Sequence, residues 1–597
     1  MRRSVPSLGQ LPRAAIRGSR GRVLLALSVA AVAASTAMVP ANAQDDDRSG
    51  RTTTVKLLAF NDIHGNLDPP AGSGGLIRAS LDPIAPKNVA AGGVEYLATH
   101  LDALGAGDPR TLVVAAGDNI GATPLLSAAF HDEPTIEALN AIGTDTSSVG
   151  NHEFDEGVVE LYRMQHGACL PTPDSCPDGD FGGADFTYTA ANVVNTDSGR
   201  TILPPYWIGE VPAATGSGKV KVGFIGMTLE GTASIVTQSG IRGIEFRDEV
   251  ESANALVPEL RGKGVEAIVV LIHEGGVQNG LYNDCLGLTG PIVEIATTGA
   301  DGVALDAEID AIVSAHTHQP YNCSLTDPAG RPRPVTSAAS FGRIITEINL
   351  AVDRQGEVDR AATTAANHIV TRDFPDPELT ALITKYRTLV APVANRKVGD
   401  ITADLLRQID ASGESPLGNV ISDAQLADTA PAARGGAQIA FMNPGGIRAD
   451  LVYAPDGVVT YEEAFTVQPF NNYVTTMTLT GAQIDAVLEQ QFDNPSVGAN
   501  RILQVSAGFT YTWNAQSPTG SKVGPGSIQL NGQPIDPAGT YRVTVNSFLA
   551  DGGDNFTVLR NGTDRVVGGL DIDAFTAYLG ANSPLSPPPT DRINVTP

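Results

Sequence analysis

Basic residues are scarce in this chain of 597 residues: 39 Lys and Arg stand against 66 Asp and Glu, a formal net charge of −27. Six of the arginines (Arg2, Arg3, Arg13, Arg17, Arg20, Arg22) precede position 44 without one acid, so the remainder is more acidic still. Such a surface repels nucleic-acid backbones and anionic membranes. Polymeric nucleic acid is therefore excluded as a partner, whereas a small phosphate ester fits if bound cations reverse the field locally. Long apolar runs are equally scarce. The one from Val23 to Val39 follows the basic stretch and leads into Ala41-Asn42-Ala43, the small-residue pattern of a cleavage site. Residues 1–43 are thus expected to be a signal peptide, leaving an exported, secreted or extracytoplasmic protein with no stable membrane insertion after cleavage. No internal repeat is present, which excludes a solenoid.

Cysteine is rare, with four residues: Cys169, Cys176, Cys285 and Cys323. An even count in an exported chain suggests disulfides, with three possible pairings. Cys169 and Cys176 flank Pro171 and Pro173, which favours a bridge stapling that loop and leaves Cys285 with Cys323. A zinc site is the alternative, but no pair has C-x2-C spacing.

What the chain does have is length and order. Its length exceeds what one core organises, so more than one domain is expected. After a polar stretch at 44–54, continuous apolar runs alternate with helical stretches from 55 to 372. Val55 to Phe60, Leu112 to Ala116, Val220 to Gly226, Ala267 to Ile272 and Ile309 to Val313 read as strands buried on both faces of a layered α/β fold. Pro377 to Asn395 has the helical period in Leu379, Leu382, Ile383, Tyr386, Leu389, Val390 and Val393, and a helical connector is expected over 373–397. A second α/β unit follows at 398–580, and 581–597 reads as a Pro-rich tail.

The polar residues fall at the strand ends. Val55 to Phe60 runs into Asn61-Asp62-Ile63-His64, Leu112 to Ala116 into Gly117-Asp118, and a third segment gives Gly150-Asn151-His152-Glu153-Phe154-Asp155. Ala267 to Ile272 ends at His273, and Ile309 to Val313 leads to His316-Thr317-His318. Sites in layered α/β sheets lie beyond the carboxyl ends of the strands. Asp62 and His64, two apart, can face one ion, and the two oxygens of Asp118 can bridge a pair. Imidazoles and the Asn151 amide complete the shells without excess negative charge. Two divalent ions about 3.5–4 Å apart activate water and hold a phosphate at once. The N/O ligand set suits zinc, manganese or a related divalent ion. One Asp-x-His after a strand is ordinarily only a polar loop. Here, however, five of the nine histidines fall in these motifs, in order.

This ordered set resembles the calcineurin-like metallophosphoesterases. The resemblance implies that Asp62, His64, Asp118 and His318 bind one ion, and that Asp118, Asn151, His273 and His316 bind the other. His152 would assist the leaving oxygen, positioned by Asp155. The nearest nucleotidases often carry an amide where this chain has His318.

In the second half, Phe441 to Arg448 places Gly445 and Gly446 just before Arg448, and bare N–H groups with a guanidinium suit an anionic oxygen. Phe470, Phe548 and Asp554 stand in loop-like stretches; each Phe singly would be core, but together they could stack a base and bind ribose. With Ser415-Pro416-Leu417-Gly418-Asn419, these segments resemble the C-terminal domain of 5′-nucleotidases. By that likeness Asn443, Gly446 and Arg448 hold substrate, Phe470 and Phe548 stack the base, and Asp554 binds ribose. Some relatives carry an Arg where this chain has Gly413-Glu414, and Arg407 lies nearby.

The expectation is therefore an α/β protein with a four-layer α/β/β/α metallophosphoesterase domain and a smaller α+β substrate-recognition domain. It would hydrolyse nucleoside 5′-monophosphates with two divalent ions. The alternatives are a 2′,3′-cyclic-nucleotide phosphodiesterase with 3′-nucleotidase activity, a nucleotide-sugar hydrolase, or a nucleotide-binding surface protein without turnover. A pure binder has no use for His152 and Asp155.

Overall fold

The strands of the first half sort into two stacked sheets because their apolar residues alternate between two different neighbours. In the computed structural model, which describes residues 52–82, 87–297, 302–524 and 526–597, the first sheet contains β1 (Thr53–Phe60), β2 (Thr111–Ala116), β3 (Thr146–Ser148) and β4 (Thr187–Thr189). The second contains β5 (Tyr206–Pro212), β6 (Lys219–Thr228), β7 (Ala267–His273), β8 (Ala311–Ser314), β9 (Tyr321–Thr326) and β10 (Pro332–Ser337). With β11 (Ile344–Val352) and β12 (Thr364–Ile369), the orders are β12-β11-β1-β2-β3-β4 and β9-β10-β8-β7-β6-β5. The signal-peptide segment 1–43 lies outside the described residues.

β7 shows the packing rule. All seven of its residues are buried. Ala267, Val269 and Leu271 join Val55, Leu57 and Val114 between the sheets, whereas Ile268, Val270 and Ile272 pack with Val250, Ala253 and Val257 of the helix Glu249–Gly262. On the far side of the other sheet, Leu58 and Phe60 meet Leu97, Leu101 and Leu139 from helices Val94–Gly105 and Glu133–Ile142. The result is the expected α/β/β/α stack. β1, β2 and β3 run parallel to one another, as do β6, β7 and β8. Their carboxyl ends therefore converge at one edge.

The expected connector is an 18-residue helix, Pro377–Ala394, started by Asp376, whose side chain accepts from the N–H groups of Glu378 and Leu379. Its buried face is Leu379, Ile383, Tyr386, Val390 and Ala394, while Leu389 and Val393 are about half exposed. That face lies in one core with Val94 and Phe130 of the first half and Val420, Phe465 and Phe575 of the second. Within the second half, β13 (Ile439–Met442), β14 (Tyr473–Thr480), β15 (Gln504–Val505), β17 (Thr540–Asn546) and β18 (Thr563–Leu570) form a sheet in the order β15-β13-β17-β14-β18. β16 (Phe509–Asn514) lies in a separate, four-stranded sheet.

The Pro-rich stretch at 581–597 is more than a tail. Its last strand, β19 (Ile593–Thr596), pairs in parallel with β16. Glu414, fully buried, accepts from the backbone N–H groups of Arg592 and Ile593 at 3.0 and 2.8 Å. Arg592 forks onto Asp423 with two 2.8 Å bonds. Cys169–Cys176 and Cys285–Cys323 are the disulfides. Among the described residues no helix is long and apolar enough to cross a membrane.

Removing one partner of a buried ion pair leaves the other charge uncompensated. Arg592→Ala is expected to lower the unfolding free energy by about 3–5 kcal/mol, read as a lower urea midpoint with unchanged metal content.

Candidate functional site

Five loops leave the carboxyl ends of β1, β2, β3, β7 and β8 and meet in a space lined by acids and imidazoles. Asp62, His64, Asp118, His316 and His318 all have left-handed backbone φ, between 46° and 71°. Non-glycine residues occupy that region at a cost and keep it where the surroundings enforce it. Here the strands enforce it through ladder bonds that continue past their ends: Asp62 N donates to Gly117 O, and His64 N to Asp118 O, both at 3.0 Å. Gly150 permits the closest approach, since a side chain there would overlap the Asp118 carboxylate.

The ligand atoms are close. His318 Nε2 lies 3.3 Å from Asp62 Oδ1, and His64 Nε2 lies 3.6 Å from Asp118 Oδ2 and 3.1 Å from His318 Nε2. His273 Nε2 lies 2.9 Å from Asp118 Oδ2 and 3.9 Å from Asp62 Oδ1. Asp62, His64 and His318 form one group of convergent ligand atoms, and Asp118, His273 and His316 form another. His64 and His273 are turned by backbone carbonyls, Nδ1 donating to Gly121 O at 2.9 Å and to Ala116 O at 2.8 Å. That leaves each Nε2 facing the centre, the usual device for orienting a metal ligand.

These residues fit divalent ions. Asp62 Oδ1 and Asn151 Oδ1 are buried without a hydrogen-bond partner, and such acceptors are costly unless something cationic meets them. Burial disfavours the His273 imidazolium, but Asp118 and Asp62 outweigh it and push its pKa up to about 10. Burial and the neighbouring His273 pull His316 down to about 3.

His152 also converges with His64 and Asp118. Its Nδ1 lies 2.7 Å from Asp155 Oδ2. Burial lowers its proton affinity, yet Asp155 and Asp118 reverse the balance and raise it above the ordinary imidazole value. Glu153, inside the Gly150 to Asp155 motif, is the hub beneath. Its buried carboxylate accepts from Asp118 N, Asn119 N and Gly150 N at 2.9, 2.9 and 2.6 Å, so it ties two ligand loops together. Burial and Asp118 push it up to about 7. No spacing in the sequence marks this role, because all three of its partners are backbone groups.

Residues from the second half complete the site. Asn151, His152 and His316 share a cavity of about 200 Å³ with Gly446, Arg448, Phe470, Phe548 and Asp554. Phe470 stacks on His152, with ring centroids 5.8 Å apart, and the Arg448 guanidinium lies 5.7 Å from the same ring. Asn443 is drawn into a polar network: its Nδ2 donates to Asp554 Oδ2 at 2.8 Å and its Oδ1 accepts from Asn546 at 2.9 Å. Both ends of its amide are thus already engaged. Arg501, which no motif in the sequence marks, bonds Asp554 Oδ1 at 2.8 Å. On the His318 side a larger cavity of about 770 Å³ opens, lined by Arg343, Arg407, Arg448, Phe341 and Tyr282. Arg407 therefore comes to Arg448 through space, while Glu414 is engaged by the C-terminal strand.

Residues 55–320 match the calcineurin-like phosphoesterase family and residues 393–561 match the 5′-nucleotidase C-terminal domain. The chain is 31% identical to Endonuclease YhcR of Bacillus subtilis over 88% of its own length and 39% of that protein. It is 30% identical to Cell wall protein Lmo0130 of Listeria monocytogenes, over 88% of this chain and 67% of that one. The chain thus spans about two fifths and two thirds of the length of these two relatives. Among solved structures, a 5′-nucleotidase precursor from Thermus thermophilus superposes with a TM-score of 0.71 at 27% identity, covering 91% of this chain and 99% of that one. The chain belongs to the 5′-nucleotidase family, with a calcineurin-like phosphoesterase domain, from a family of metal-dependent phosphoester hydrolases, before a 5′-nucleotidase C-terminal domain.

Proposed function

We propose that the protein is an exported 5′-nucleotidase that holds two divalent ions and hydrolyses nucleoside 5′-monophosphates to nucleoside and phosphate. The observation that carries the reading is the shared cavity, where His152 and Asn151 of one half meet Arg448, Phe470, Phe548 and Asp554 of the other. Asp62, His64 and His318 would hold one ion and Asn151, His273 and His316 the other, with Asp118 between them. Zinc and manganese both suit this donor set. Divalent ions there supply Lewis acidity, activating water and polarising a phosphoryl oxygen.

The chain's own residues do the rest. Arg448 pairs with the phosphoryl oxygens and fixes the ester against the ligand nest, whereas the backbone N–H of Gly446 is taken by Asn443 O at 3.2 Å. Asp155 holds Nδ1 of His152, which leaves the other ring nitrogen free to deliver a proton to the departing 5′-oxygen. Phe470 and Phe548 present aromatic faces to the base, and Asp554 accepts from the ribose hydroxyls. Stacking reads any π-face, so base choice is broad.

Two disulfides among the described residues support an oxidising, extracytoplasmic location, as does similarity to a protein named for the cell wall. A second reading is favoured by the 770 Å³ cavity beyond His318. It has room for the other half of a diester, so nucleotide sugars and 2′,3′-cyclic nucleotides belong in the substrate panel.

Turnover of AMP, UMP, a UDP-sugar, 2′,3′-cyclic AMP and p-nitrophenyl phosphate by metal-replete protein, read by chromatography of every product, tests the reading. AMP and UMP are expected to lead; a diester leading the panel would replace it. His152→Ala is expected to lower kcat by roughly 10²–10⁴ with normal metal content, and loss of metal would instead make it a ligand. Phe548→Ala is expected to raise KM for AMP about 5- to 150-fold, the equivalent of one stacked base, with little change for p-nitrophenyl phosphate. Metal uptake has its own sign. In the ion-free site His273 holds a proton up to about 10, and a ligand must be neutral. Binding at pH 7 therefore releases a proton, and affinity climbs as pH rises toward that value. Calorimetry in buffers of different ionisation heat reads the release; affinity independent of pH would contradict it.

A further inference from the structure

Asp554 is held with unusual thoroughness for a residue whose proposed task is only to accept bonds from a sugar. Its backbone is left-handed, with φ 55°, and its carbonyl accepts from Asn494 Nδ2 at 2.8 Å. Asn443 takes Oδ2, and Arg501 takes Oδ1 at 2.8 Å. The Asp554 side chain is 10% exposed and that of Arg501 25%, so the pair is largely removed from water. Both line the 200 Å³ cavity that contains Phe548 and Phe470.

An ionised carboxylate has about four lone-pair sites. Asn443 and Arg501 use one each, which leaves about two directed elsewhere, the number a ribose cis-diol needs. Charge bears on the same point. A buried carboxylate with only an amide partner would repel the phosphate of an incoming nucleotide and would be costly to keep ionised. The guanidinium beside it cancels that field at short range. Arg501 itself reaches this place from an irregular stretch whose backbone is tied down, Arg501 N donating to Gln491 O at 2.8 Å. It donates through one NH1 hydrogen to Asp554, so most of its five N–H donors remain for solvent or ligand.

We propose that Arg501 is a specificity-determining residue, which orients and neutralises Asp554 so that the cavity selects nucleotides with an intact ribose diol. The inference rests on the nucleotide reading above and adds the sugar to it. Ribonucleotides engage both free acceptor positions on Asp554. Deoxyribonucleotides engage one, and phosphate esters without a sugar engage none.

Steady-state kinetics on AMP, dAMP and p-nitrophenyl phosphate test this in the full-length, metal-replete enzyme. For Arg501→Met, the kcat/KM of AMP relative to p-nitrophenyl phosphate is expected to fall about tenfold, at the low end for breaking a desolvated charge pair. Most of the loss should fall on KM, and the preference for AMP over dAMP should shrink toward one. Arg501→Lys keeps the charge and is expected to retain most of that preference. Arg501→Gln, close in shape, serves if the Met variant fails to fold. In the double variant with Asp554→Asn the two losses should not add. Equal losses on all three substrates, or an unchanged ratio of AMP to dAMP, would make Arg501 a pin for the fold and overturn the proposal. A wild-type enzyme that favours AMP over p-nitrophenyl phosphate but treats AMP and dAMP alike would overturn it while leaving the nucleotide reading intact. A wild-type enzyme indifferent between AMP and p-nitrophenyl phosphate would overturn both.

Discussion

Two carboxylates, Asp62 and Asp118, are buried side by side at the open edge of a strand sandwich, and much of the structure follows from that placement. Burial alone would drive protons onto them. Both nevertheless stay below the ordinary carboxylate range, because His318, His273 and His152 stand close enough to outweigh desolvation and mutual repulsion. An arrangement of acids, imidazoles and unpartnered acceptor oxygens is stable at modest cost only when cations complete it. The chemistry of the site and its stability are the same electrostatic problem.

Holding such a cluster together requires rigid support, and the backbone supplies it. Asp62, His64, Asp118, His316 and His318 sit in left-handed conformations, each just beyond a buried strand that cannot shift without disturbing a core layer. Glu153 binds the loops after β2 and β3 from beneath through three backbone N–H groups. Because its partners are main-chain atoms, it sets positions without engaging the side chains that converge above it. The strain at the ligands is offset by the packing of β1, β2 and β7, whose inward faces are fully buried.

The second half works against the acidity of the whole. In a chain with a net charge of −27, arginines are nevertheless gathered where the two halves face each other, a setting that suits an anion. Arg448 lines both cavities and stands between them, with Arg407 and Arg343 on one side and Arg501 on the other. The helix Pro377–Ala394 makes this meeting possible, since its apolar face belongs to a core shared by both halves.

The strands with their terminal Asp and His motifs were legible in the sequence because both signals are local. Continuous apolar runs mark strands buried on two faces, and a ligand belongs beside the end of its own strand. The same holds for the helix at 377–394, although its period overstated burial at Leu389 and Val393, which face outward. The C-terminal strand was misread as a tail because its burial depends on distant partners, Glu414 and Asp423, rather than on its own composition. Sequence determined which residues could bind metal and nucleotide, since that is a matter of donor chemistry and spacing along single loops. Only the tertiary structure decided that Glu153 is a hub, that Asn443 is drawn into a network, that Phe470 covers His152 and that Arg501 answers Asp554. Each of those depends on atoms brought together from separate segments of the chain, where side-chain direction and burial, not order along the chain, set the interaction.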